Sequence, residues 1–114
     1  MAIVNIICEN DADFSRQFAY QWTDGTPIDL TSSTLKMGIR RRAEDVTEEM
    51  LLTTENGGLT ITDPTNGKFS VLITQAQLRL LDLGDYEHSL IRIRGAQRMR
   101  IWSGSLVNNP GPSR

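Results

Sequence analysis

Cysteine occurs once in these 114 residues, as Cys8, so no internal disulfide can staple the fold. A lone cysteine within an apolar run behaves as a small buried hydrophobe and fits synthesis in a reducing compartment. Histidine also occurs once, as His88. A zinc centre draws several ligands from Cys and His, and one of each does not supply them. Lysine is scarce, with only Lys36 and Lys68 among 12 cationic residues, so the positive charge is almost all arginine. Arginine suits bidentate pairing with carboxylates at contact surfaces. The formal net charge of −2 argues against a general nucleic-acid binder, whose affinity rests on excess cations neutralising phosphates. Aromatics make up 6%, so the core must be built mainly from Ile, Leu, Val and Met. No apolar run approaches the ~18 residues of a membrane-spanning helix. The opening MAIVNIICENDADF lacks the basic start of a secretory signal, which predicts a soluble product made in the cytoplasm.

What is present is extended segments separated by turn chemistry. Ala2 to Cys8 is rich in β-branched residues and predicts an opening strand. Phe18, Tyr20 and Trp22 share one face of the next, which the Asp24-Gly25-Thr26-Pro27 turn closes. Leu35, Met37 and Ile39 alternate with Lys36, Gly38 and Arg40, and Arg41 and Arg42 carry that strand beyond the core. An acidic loop or single helical turn follows over Ala43 to Glu49, then short strands over 50–54 and 59–62. Asp63-Pro64 and Asn66-Gly67 mark the strongest turn.

The central stretch, Lys68 to Arg94, reads as strand, short helix and strand. Phe69, Val71 and Ile73 alternate; Thr74 caps a helix over Gln75 to Leu81, with Leu78, Leu80 and Leu81 closing the core; Gly84 suits a left-handed helix end. Tyr86 to Ile93 alternates again, placing His88 beside Tyr86 and Leu90. The last strand, Arg98 to Val107, sets Met99 and Ile101 on one face and Arg100 and Trp102 on the other. Seven or eight short strands with one brief helix predict an all-β fold: a single antiparallel, immunoglobulin-like sandwich over residues 1–107. Residues 108–114 (NNPGPSR) predict an extended tail leaving the domain.

Catalytic chemistry is thin. A Cys8–His88 nucleophile pair requires the two to meet in space, and nothing near Cys8 lowers a thiol pKa. The carboxylate pairs Glu44-Asp45, Glu48-Glu49 and Asp82/Asp85 fall in predicted loops, not across a cleft. Asp11, Asp13 and Asp24 match no calcium loop, and no glycine-rich phosphate loop occurs. The expectation is a non-enzyme with no metal or cofactor. Two recognition features remain. Trp22 and Trp102 offer flat rings for a carbohydrate-binding sandwich, against the plainer reading that they fill the core. Arg40, Arg41 and Arg42, with Arg92, Arg94, Arg98 and Arg100 crowded near a hairpin tip, offer a basic surface for acidic protein partners. With Trp102, Pro110 and Pro112 these are the candidate interface residues.

Several segments carry a resemblance. They are Asp-Gly-Thr-Pro-Ile-Asp-Leu-Thr (24–31), Gly-x-Phe-x-Val-x-Ile-Thr-x-x-Gln (67–77), Gly-Asp-Tyr (84–86) and Ser-Gly-Ser-Leu-Val-x-x-Pro-Gly (103–111). Their order resembles small β-sandwich proteins of tailed bacteriophages and prophages, similar to the N-terminal domain of baseplate upper proteins. The resemblance covers nearly the whole chain through turn and core positions. It implies a structural component of the virion, in the tail, baseplate or its connections, packed in several symmetric copies against other virion proteins.

Overall fold

A computed structural model describes residues 2–21 and 24–113. Among the described residues nine strands form two sheets: β1 (Ala2–Ile3), β2 (Ile6–Glu9), β3 (Phe14–Ala19), β4 (Thr34–Arg40), β5 (Met50–Thr53), β6 (Leu59–Asp63), β7 (Lys68–Ile73), β8 (Gly84–Arg94) and β9 (Gln97–Asn109). The larger sheet runs β1-β9-β8-β4-β5, with β2 also on β9; the smaller runs β3-β7-β6. Successive strands cross between the sheets after β2, β3, β5 and β7, which is the immunoglobulin-like layout. The sandwich is not wholly antiparallel. The predicted opening strand splits in two at Val4-Asn5, and both pieces pair with β9 in parallel. Parallel neighbours need a long connection, and here nearly the whole chain separates them.

The inner faces follow the period-two pattern. Leu35, Met37 and Ile39 of β4 face Phe69, Val71 and Ile73 of β7, all essentially buried. Helix α1 (Gln75–Leu80) bridges β7 and β8. Its first turn is held reciprocally: Gln77 N–H donates to Thr74 Oγ1, and Thr74 N–H donates to Gln77 Oε1. Leu78 and Leu81 close the core, but Leu80 is 88% exposed and does not contribute. A helix this short presents only one face to the core. Gly84 does not end it; the cap is Leu81 in extended conformation, and Gly84 opens β8 at φ +125°. A side chain on Gly84 would meet the Arg41 guanidinium.

A register shift in β9 reorders the expected faces. Leu90 sits opposite Trp102 but Ile91 sits opposite Arg100, leaving Ile101 as the extra residue of a bulge. Ile101 and Trp102 are consequently both buried while Arg100 and Met99 are exposed. Trp102 enters the core, with ring centroids 4.6 Å from Phe18 and 5.6 Å from Phe69, joining the two sheets.

The C-terminal segment also departs from expectation. Instead of leaving the domain at 107, β9 continues to Asn109, and buried Asn108 donates from Nδ2 to the carbonyls of Leu78 and Leu81, each at 3.0 Å. Gly111 N–H donates to Asn10 Oδ1 at 2.7 Å and Ser113 N–H to Asp11 Oδ2 at 3.2 Å. Polar side chains, not apolar ones, dock this segment, so hydrophobic patterning carried no sign of it. Pro110 and Pro112 remain exposed on it.

Where α1 hands over to β8, Tyr86 is buried and its hydroxyl donates to the Asp82 carbonyl four residues upstream, at 2.6 Å. This is the tyrosine corner of immunoglobulin-like sandwiches. Tyr86→Phe removes one buried hydrogen bond and leaves the Asp82 carbonyl less satisfied. It should lower unfolding free energy by about 1–2 kcal/mol, read as a lower urea midpoint at unchanged slope.

Candidate interaction surface

The larger sheet presents its outer face to solvent except over β4, where the 41–49 loop folds back and a Cβ on Gly38 would stand 2.7 Å from the Glu48 carboxylate. Register alone fixes who stands on it. Ser103 of β9, Ser89 of β8 and Gly38 of β4 form a row across the sheet, with Ile3 of β1 at its edge. These small residues leave a hollow of about 490 Å³. Toward the β8–β9 hairpin its rim carries Lys36, Ile91 and Arg100; toward the opposite end it carries Arg40, Glu48 and Glu87. Ile3 is 75% exposed at the margin.

The floor depends on a second close approach. A Cβ on Gly104 would stand 1.9 Å from the Val4 carbonyl oxygen, so only glycine lets the kink between β1 and β2 press onto β9. His88, paired in register with Gly104, lies beneath, and its Nε2 is 3.2 Å from the Ser105 carbonyl. Burial pushes the imidazole pKa below its ordinary 6.5, partly offset by the Ser105 and Val4 carbonyls.

The predicted arginine surface divides. Three of its members are committed within the chain. Arg40 Nη1 donates to the carbonyls of Asp45 and Val46, and its Nη2 lies 3.6 Å from Glu48, folding the acidic loop back onto β4. Arg41 donates to the carbonyls of Asp85 and Leu83 and lies 4.3 Å over the Tyr86 ring. Arg92 donates from Nε to Ser33 Oγ and from Nη2 to the Asp29 carbonyl, fastening the 29–33 bend. The Asp29 carboxylate accepts from Thr31, which holds its pKa below the usual range, with Arg94 and Arg92 adding to that shift. Arg42, Arg94, Arg98 and Arg100 are exposed. Arg42 lies at the acidic-loop end, so the seven arginines do not form one patch; Arg94, Arg98 and Arg100 do crowd the hairpin tip.

Other candidates resolve differently. Trp102 is 3% exposed and cannot be a surface contact or a sugar platform; Trp22 lies outside the described residues. Cys8 pairs with Asn108 and His88 with Gly104, four residues apart along β9, a separation of about 13 Å. They do not form a nucleophile pair. Burial, with Glu9 adding, pushes the Cys8 thiol up to about 11, so it stays protonated. The aspartates that match no calcium loop serve as acceptors for backbone N–H groups: Asp13 from Gln75, Asp24 from Thr26, Asp11 from Ser113. Among the described residues no three His, Cys, Asp or Glu cluster as metal ligands. Sequence reading missed Glu87, whose carboxylate accepts from the Ala43 N–H and ties the loop to β8. Its alternation with Tyr86 and His88 put it on the outer face, which was the available signal.

No protein-family model and no curated protein matches this chain. Among solved structures 62 chains match. The N-terminal domain of phage TP901-1 ORF48 has a TM-score of 0.51 at 13% identity, over 95% of this chain and 85% of that one. Murine CRIg has a TM-score of 0.46 at 13% identity, over 94% and 92%. The former likeness supports the sandwich fold. Among the described residues no helix is long and apolar enough to cross a membrane.

Because His88 holds a proton less readily folded than unfolded, the unfolded chain takes up protons first as pH falls below 6.5. Stability from this residue is present above 6.5 and declines as pH falls toward the lowered folded value. Urea unfolding at pH 7.5 and pH 5 should show lower stability at pH 5, and His88→Gln should shrink that difference.

Proposed function

We propose that this chain is a structural component of a tailed-phage particle, in the tail, baseplate or its connections. It acts by protein–protein packing and performs no catalysis. The observation that carries this is the end-to-end match of its fold to a phage domain, over 95% of this chain and 85% of the other. The turn and core segments that resemble phage β-sandwich proteins point the same way. The surface chemistry is compatible. A largely exposed sheet face with charged rims suits a packing role, and an acidic net charge suits protein partners over nucleic acid. The partners are other virion proteins and further copies of the chain, assembled in the host cytoplasm and carried in the particle.

The carbohydrate alternative leaned on exposed tryptophans, and burial of Trp102 removes one of its two platforms. No observation favours it over packing.

Expression from its native gene cluster should place the chain in purified particles at a fixed ratio to other tail proteins, read by density-gradient separation and mass spectrometry. Recovery only from the free-protein fraction would overturn the proposal.

A further inference from the structure

We infer that the β1–β2 edge of the larger sheet is a self-pairing edge: the same strand of a second copy adds to it in antiparallel, joining the two larger sheets into one. The inference names a partner for the packing role proposed above and rests on that reading.

β1 and β2 keep one register on β9, from Ala2 opposite Trp102 to Glu9 opposite Asn109, so residues 2–9 act as a single edge strand despite the kink at Val4-Asn5. Val4 and Asn10 donate their N–H groups to the Ser103 and Asn109 carbonyls of β9, at 2.9 and 3.0 Å. Backbone groups alternate sides along a strand, so the even-numbered residues turn toward β9 while Ile3 and Ile7 turn their N–H and C=O away from it. Among the described residues nothing takes these groups up. The side chains of the same two residues are 75% and 64% exposed. An unpaired edge with apolar side chains is a template for another strand. The other edges of the two sheets are blunted. β3 carries exposed Arg16, β6 shifts register between Ile61 and Asp63, and β5 is four residues long behind Glu48-Glu49. Residues 2–8 hold no charge, no proline and no bulge.

The occupant is a second copy because the segment is close to a palindrome: Ile3-Val4-Asn5-Ile6-Ile7 reads nearly alike in both directions. A two-fold axis perpendicular to the sheet at Asn5 sets Ile3 opposite Ile7 of the second copy, Ile7 opposite its Ile3, and Val4 opposite its Ile6. The outward-turned N–H and C=O groups of Ile3 and Ile7 then face each other and exchange two hydrogen bonds in each pair. The isoleucine side chains stand on one face of the joined sheet as directly opposed apolar pairs. With no charge on the segment, nothing repels across the axis. Asn5 is satisfied within its own chain, where its Oδ1 accepts from the N–H and the hydroxyl of Ser105, each at 3.2 Å. The edge is also sterically open. The larger sheet is five strand positions wide and the smaller three. Trp102 of β9 packs on Phe18 of β3, so β3 lies beneath β9 and the β1–β2 strand overhangs it. The smaller sheets of two copies therefore stay apart when the larger ones join. Such a contact is isologous: the same edge serves both copies.

Sedimentation velocity over a concentration series tests this with two double variants at these exposed positions. Wild type should dimerise, and added salt should not dissociate it, because the contact is backbone and apolar. Ile3→Lys with Ile7→Lys sets ammonium against ammonium in both isoleucine pairs and should weaken dimerisation at least about tenfold. Ile3→Glu with Ile7→Lys sets unlike charges in the same places and should regain dimers, which now weaken with salt. A register centred on Ile7 would instead set Lys against Lys in both variants. In wild type, amide exchange at Ile3 and Ile7 followed by NMR should slow at least about tenfold as concentration rises through the dimerisation range. That measurement decides if either variant fails a urea-unfolding check. A wild-type monomer at all concentrations, undiminished dimers in the double-lysine variant, or a folded glutamate–lysine variant as monomeric as the double-lysine one would overturn the inference. So would Ile3 and Ile7 amides that exchange equally fast at every concentration. A monomeric chain still found in purified particles would sink the edge pairing and leave the phage role standing; a dimer absent from particles would do the reverse.

Discussion

The bulge at Ile101 is the constraint on which the sandwich depends. Without it strict alternation would put Trp102 on the face of Arg100, and either the ring would be in water or the guanidinium in the core. Inserting one residue shifts the phase, so Arg100 points out while Trp102 points in. The ring then packs against Phe18 and Phe69 of the smaller sheet at centroid separations of 4.6 and 5.6 Å. In a chain with few aromatics and no disulfide, this three-ring contact links the layers within the aliphatic core, and such pairs contribute about 0.5–1.5 kcal/mol each beyond area burial. His88 occupies the position two residues after the tyrosine corner where antibody-type domains carry a bridging cysteine. Its ring is edge-on to Trp102 at 6.4 Å. Packing therefore stands where a covalent bridge stands in those domains.

The arginine-rich composition serves two purposes that geometry separates. Arg40, Arg41 and Arg92 donate to backbone carbonyls of loop residues Asp45, Leu83 and Asp29, which tie those loops to the sheet. A planar guanidinium with several donors suits this better than an ammonium, which accounts physically for the scarcity of lysine. The remaining arginines near the hairpin project from the sheet and give its outer face a basic end. At the other end of the face Arg40 stands beside Glu87 in register and lies 3.6 Å from Glu48, so charges of both signs meet there.

Much of the scaffold was legible in the sequence. Period-two alternation marked β4, β7 and β8; Thr74 marked the start of α1; and Asp-Gly and Asn-Gly marked real turns. Thr74 and Gln77 also carried a capping-box pattern, of which only the Thr74 half was read. The Gly-Asp-Tyr segment marked the opening of β8, but the hydrogen bond from Tyr86 to the Asp82 carbonyl leaves no local pattern in the sequence. The face was harder to read. Lys36, Glu87 and Arg100 lie on three strands whose alignment depends on register, and register is set by pairing between distant residues, not by local pattern.

By itself the sequence determined an all-β chain, the positions of most strands and the one helix, a core of aliphatic residues, and the absence of a disulfide. These follow from local periodicity, turn chemistry and composition, which need no knowledge of neighbours. Only the tertiary structure decided that Trp102 is core, that β1 and β2 run parallel to β9, and that residues 108–113 dock back through Asn108, Asn10 and Asp11. It also decided which arginines are committed internally. Each of these turns on a contact between residues far apart in the chain, a bulge or a polar group seeking a partner. Such contacts leave no period in the sequence, because what satisfies them is supplied by another strand.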